Sequence, residues 1–103
     1  MTQKNECEAL VAWCQDAARA TARTYFIAAS EIASDAPSEH WENLWTEAMN
    51  SLKRTSAAPM AGAAGTVVDD IKEMLFSIEL DAFKAELDRL NAAGAARAVR
   101  QAQ

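Results

Sequence analysis

Apolar side chains recur along this chain at alternating steps of three and four residues. The cleanest run is Trp41, Leu44, Trp45, Ala48, Met49 and Leu52, whose spacing draws one face of an α-helix. Two tryptophans one turn apart make that face a large, rigid surface that must lie against something. Upstream, Cys7, Leu10, Val11, Cys14, Ala17, Ala18, Thr21, Tyr25, Ala28, Ala29 and Ile32 draw a second helical stripe. Its middle is built of small residues, so a neighbouring helix can approach closely there. Downstream, one helix carries two stripes. Val67, Val68, Ile71, Met74, Leu75 and Ile78 form the first; Phe76, Leu80, Phe83, Leu87 and Leu90 form the second, rotated from it. A helix with both is apolar around more than half its girth. Either it bends near Ser77 or it faces two neighbours at once.

Start and stop signals bound these elements. Asn5 with Glu8 three residues on reads as a capping box and opens a first helix over about 5–34. Asp16, Arg19 and Arg23 fall off its apolar stripe and are expected in solvent. Pro37 disfavours helical geometry at the residue before it, and Ser38 is the preferred cap of a second helix over about 39–54. Glu39 and Glu42 in its first turn, and Lys53 and Arg54 in its last, complement the helix dipole. Residues 55–65 hold Pro59, Gly62 and Gly65 and predict a flexible linker, longer than most helix–helix links. Thr66 caps a third helix over about 66–93, Gly94 is its stop signal, and 95–103 is expected to fray. The prediction is an all-α, small three-helix bundle with unequal helices and no sheet, one domain over residues 1–94.

Composition sharpens this picture. Of 103 residues, 24 are alanine, while there are 3 glycines and 2 prolines, a balance that favours helix throughout. The formal net charge of −5 repels phosphate backbones, so no direct nucleic-acid partner is expected. Cys7 and Cys14, two turns apart on one helix, are separated by ~10 Å and cannot form a disulfide with each other while it is intact. Two reduced thiols fit a cytoplasmic location. No apolar run follows the first six residues and no stretch reaches 18 apolar residues, so neither a leader peptide nor a transmembrane segment is expected.

Catalytic chemistry is poorly served. His40, the single histidine, sits at the start of the second helix, where a surface position is the ordinary reading. Cys7, Cys14 and His40 match no compact zinc spacing, and no Gly-rich phosphate loop, nucleophile elbow or carboxylate pair stands out. No catalytic, metal or cofactor site is expected. Glu31, Asp35, Glu39, Glu42 and Glu47 run without an intervening Lys or Arg, and Asp69, Asp70, Glu73, Glu79, Asp81, Glu86 and Asp88 make the third helix acidic. Such runs are ordinarily solvated faces; the functional alternative is an acidic surface for a basic partner.

Rods of ~45, ~25 and ~40 Å do not match in length, so one end of the longest pair lacks cover. A stripe as broad as that on the third helix exceeds what a soluble monomer usually exposes. The expectation is therefore a non-catalytic protein–protein interaction module, an accessory subunit, adaptor or small inhibitor. Its partner is a second copy (a homodimer) or another protein in a hetero-complex. The residues that carry the expectation are Trp13, Trp41, Trp45, Phe76, Phe83 and Leu87. An amphipathic coat on a lipid or storage-polymer surface, or a small structural subunit of an enzyme complex, is the alternative. Surface helices on anionic membranes are usually rich in Lys and Arg, unlike these.

Overall fold

The structure, a computed structural model, describes the backbone of residues 2–102 and the side chains of residues 6–94. It consists of α1 (Thr2–Ser30), α2 (Ser38–Ala57), a single 3-10 turn (Ala58–Met60) and α3 (Thr66–Ala102). Among the described residues there is no strand, and the chain is an all-α three-helix bundle.

Helix type follows the periodicity closely, but several boundaries move. α1 ends at Ser30 rather than near residue 34, because the Ser30 hydroxyl donates to the Ile27 carbonyl at 2.7 Å and the next amides, Glu31 and Ile32, bond three residues back. Its start at Thr2 precedes Asn5, whose side chain lies outside the described residues. Ser38 is the first residue of α2 and not its cap: Pro37 takes that place without a side-chain hydrogen bond, and its carbonyl accepts from the His40 amide at 3.0 Å. α2 continues to Ala57, past the expected end at 54. The Thr55 and Ser56 hydroxyls donate to carbonyls of the preceding turn instead of breaking it, and the helix stops only where Pro59 enters the 3-10 turn. The remaining connection turns through Gly62 and Gly65, at φ +84 and +123, backbone that side-chain-bearing residues rarely adopt. The Gly65 carbonyl accepts the first helical amide of α3, from Asp69, so Thr66 lies inside the helix it was expected to cap. Gly94 does not stop α3. Alanines flank it on both sides, and the backbone stays helical to Ala102. The side chains of 95–103, the segment expected to fray, lie outside the described residues.

Contacts fix the direction of each rod. The Thr21 and Ser51 hydroxyls lie 3.4 Å apart, and the Tyr25 ring meets Trp45, so α2 descends beside α1. Cys14 lies beside Glu79, and nine residues on Arg23 reaches Glu86, so α3 ascends beside α1. The fully buried seam of α1 is Cys14, Ala18 and Ala22, spaced by four. These small side chains let α3 approach closely, as the small-residue centre of the stripe implies. Opposite them α3 turns Leu75, Glu79, Phe83 and Glu86 inward, while Phe76, Leu80 and Leu87, partly buried, pack against the same core. Two neighbours thus account for the second stripe and for Leu75 of the first, while Val67 and Met74 of the first stripe stay exposed.

The result is thin and open. The Cα framework measures 54 × 32 × 14 Å, with a radius of gyration of 16.7 Å, against about 13 Å for a compact chain of this length. The exposed surface is 7219 Å², against roughly 5,700 Å² for a compact monomer of 11.2 kDa. A bundle this thin depends on the alanine seam. Ala18→Leu is therefore expected to destabilise the fold by about 1–3 kcal/mol through overpacking, read as a lower urea midpoint by circular dichroism. An unchanged midpoint would mean that α1 and α3 are not held at close approach there.

Candidate functional site

One side chain from each helix meets at the centre of the molecule. Tyr25 of α1, Trp45 of α2 and Phe83 of α3 pack edge to face in all three pairings, with ring centroids 5.7–5.9 Å apart. This is the separation that the aromatic quadrupole favours. Phe83 is 0% exposed at the middle of this junction. That corrects its expected place in a partner interface: its side chain meets the two other rings and has no surface to offer. Trp45, by contrast, gives only one edge to the junction and stays 40% exposed.

The free edge of Trp45 borders a cavity of about 430 Å³ walled by Tyr25, Phe26, Ala29, Trp45, Leu87 and Asn91. Here α1 is ending, α2 is beginning and α3 continues beyond both. Two of the residues singled out in the sequence, Trp45 and Leu87, therefore share one groove. The other four do not join them. Phe76 lines a separate cavity of about 490 Å³ at the opposite end of α2, with Lys53, Ser56, Ala57, Lys72 and Glu73. Trp41 is half-buried in the first turn of α2, and Trp13 is 48% exposed on α1. Phe26 and Ala29 are the groove residues that the helical stripes did not mark as a site; the adjacency of Tyr25 and Phe26 was the available signal, since two neighbouring rings cannot both face one core.

Further apolar surface lies outside both cavities. Trp13 and the exposed Ile27 lie within about 40° of each other around α1. On α3 the exposed Val67 and Met74 alternate with half-buried Ile71 and Ile78 at helical spacing. Cys7 is also exposed, off the seam on which its spacing placed it.

Two carboxylates lie where the pattern of charges predicted solvent. Glu86 is buried, yet it is well supplied with donors. Arg89 reaches it at 2.6 and 2.9 Å, and Arg23 crosses from α1 at 3.0 Å. Arg23 is thus half-exposed and paired, not merely solvated. The hydrogen bonds from Arg89, with those from Arg23, pull the Glu86 carboxyl down to about 2 against the opposing effect of burial. Glu79 is 0% exposed, and both its oxygens lack a hydrogen-bond partner. Burial pushes its carboxyl up to about 7, with the neighbouring Ser56 hydroxyl working weakly the other way. That hydroxyl is committed to the Lys53 carbonyl at 3.0 Å, so it leaves Glu79 unsatisfied. Across the seam, burial and the Glu79 charge push the Cys14 thiol up. The third helix is acidic, as its sequence says, but two of its acids point inward.

Among the described residues no group of three or more His, Cys, Asp or Glu side chains is placed to hold a metal ion. Both cysteines are free thiols, and among the described residues no helix is long and apolar enough to cross a membrane. His40 is exposed. Neither a protein-family model, nor a curated protein, nor a solved structure matches the chain.

The arginine fork on Glu86 carries a defined pH dependence. Its folded value lies below the ordinary 4.5, so its stabilisation is present above 4.5 and is lost as the pH falls toward 2. Glu86→Gln is expected to lower the melting temperature at pH 7 and to flatten the decline of melting temperature between pH 4.5 and 2.5. Circular dichroism melts of both proteins across that window check this, and parallel acid slopes would refute it.

Proposed function

We propose that this chain is a non-catalytic protein–protein interaction module, an accessory subunit, adaptor or small inhibitor. It receives an apolar side chain of its partner in the groove between Trp45 and Leu87. The observation that carries this reading is the groove itself. A tryptophan held by two core rings keeps a free edge on a cavity of about 430 Å³, within the range of small binding pockets. Tryptophan in such a setting is the residue most often found at binding hot spots. The open shape supports the same reading. The surplus of roughly 1,500 Å² over a compact monomer exceeds the ~800 Å² that each partner buries in a standard interface.

Charge narrows the partner. Glu31 follows Ser30 at the rim, Glu42 lies one turn before Trp45, and Asp88 follows Leu87; all three are exposed. A segment with an apolar anchor and basic flanks suits that rim, and its binding weakens as salt rises. The net charge of −5 argues against direct contact with nucleic acid. The free thiols of Cys7 and Cys14 fit a reducing, cytoplasmic setting. A second copy of the chain is one candidate partner, and another protein is the other.

Light scattering at micromolar concentration separates these two. For either, a photo-crosslinking side chain at Asn91 is expected to capture the partner, and one at Asn43, exposed on the opposite flank of α2, is not. Ala29→Arg and Asn91→Arg, which fill and charge the groove without touching the ring junction, are expected to weaken the captured complex at least tenfold while helicity is retained. A complex indifferent to both substitutions, or crosslinked equally from Asn43, would overturn the assignment of the groove.

A further inference from the structure

Glu79 is used by neither the groove nor the arginine fork, and its surroundings are unusual. It lies on α3 where all three helices converge. From α1 the titratable group that faces it is the buried Cys14 thiol, and from α2 it is met by Ser56, itself buried. No cation reaches it. Lys53 and Lys72 line the cavity of about 490 Å³ on the far side of Ser56, with Glu73, and Arg23 and Arg89 are engaged by Glu86 two turns along α3. Both oxygens are without a partner.

An acid in that position is tolerable when neutral and strongly unfavourable when charged, because nothing replaces the water that its ionised form requires. The bundle can relieve the charge by moving one end of one helix. Ser56 borders both Glu79 and the cavity, and it belongs to the last turn of α2. Beyond that turn the chain passes through the 3-10 turn and the two positive-φ glycines. Moving the C-terminal turn of α2 outward opens the cavity onto Glu79 and leaves the Tyr25–Trp45–Phe83 junction, at the other end of α2, intact.

We propose that Glu79 is a pH-operated latch: as a neutral acid it lets the C-terminal end of α2 close over the α1–α3 seam, and its ionisation releases that end and admits water to Cys14. The direction follows from linkage. The folded carboxyl sits above its ordinary 4.5, at about 7, so the closed state is fully favoured below 4.5 and progressively loses that advantage as pH rises through 7.

Cys14 is a built-in reporter, since it is 0% exposed in the closed state. In a Cys7→Ser background it is the one remaining thiol. Its modification by a maleimide is measured from pH 5.5 to 8.5 and divided by the rate for the urea-unfolded chain at the same pH, which cancels the thiol's own ionisation. Protection of Cys14 is expected to fall with rising pH by at least tenfold. The ceiling over that window is about 30-fold, the share of a rise from 4.5 to about 7 that falls above pH 5.5. With Glu79→Gln the protection should not vary with pH, and helicity should stay constant in both proteins. Glu79→Leu, which needs no hydrogen bonds, makes the same comparison if the glutamine protein does not fold. Identical pH profiles with and without the carboxyl would overturn the latch. So would loss of protection in step with loss of all helical signal, since that is unfolding of the whole chain.

Discussion

The architecture depends on a three-way aromatic contact. Tyr25, Trp45 and Phe83 come one from each helix, and each ring meets both others at close to the same separation. Three rods joined by short connections can slide and rotate; a mutual edge-to-face triangle fixes their height and azimuth together. The alanine seam of α1 then determines how near α3 may come, and the Leu52–Ala48 side of α2 closes over the pair. Because the rings of Phe83 and Tyr25 already occupy the inner side of this contact, that of Trp45 cannot sink further. Its free edge, and hence the groove beside it, follows from the way the core is filled.

The two inward carboxylates of α3 are treated in opposite ways. Seven residues separate them, so they share a helical face and the same need for compensation. Glu86 lies level with the stretch of α1 that carries Arg23 and has Arg89 on its own helix, and it is held ionised. Glu79 lies level with Cys14 and Ser56, neither of which brings charge, and it is held neutral over much of the acid range. One end of the seam is therefore stabilised by ionisation and the other is disturbed by it. The two contributions meet near pH 4.5: below it Glu86 begins to lose its stabilisation, and above it the burial of Glu79 begins to cost stability.

Much of the fold was legible in the chain because its information is local and periodic. Steps of three and four residues marked all three helices, and the two stripes on α3 left either a bend near Ser77 or two neighbours, of which the bundle has the second. What was not legible depends on tertiary placement. Periodicity put Phe83 on an apolar face but could not say whether that face turned inward or out. The acids of α3 looked solvated because a run of charges carries no record of which members face a neighbouring helix. Glu79 and Glu86 were betrayed only by their spacing from Leu75 and Phe83, a pattern that apolar counting ignores. Ends were less secure than middles. Gly94 carries a strong stop signal, yet the alanines around it sustain the helix. At the site, Trp45 and Leu87 were marked by separate stripes, and only their convergence made a groove of them.

The disparity in helix lengths has a mechanical meaning. α3 has 37 residues and α2 has 20, so about 25 Å more of α3 exists than α2 can flank. From Phe83 to Ala102 the rod extends ~29 Å past the point where the rings pin it. Past Leu87, the last residue that packs on the core, the rod runs on without a flanking helix, and by geometry alone a tilt of five degrees at the aromatic triangle would displace its tip by roughly 2.5 Å.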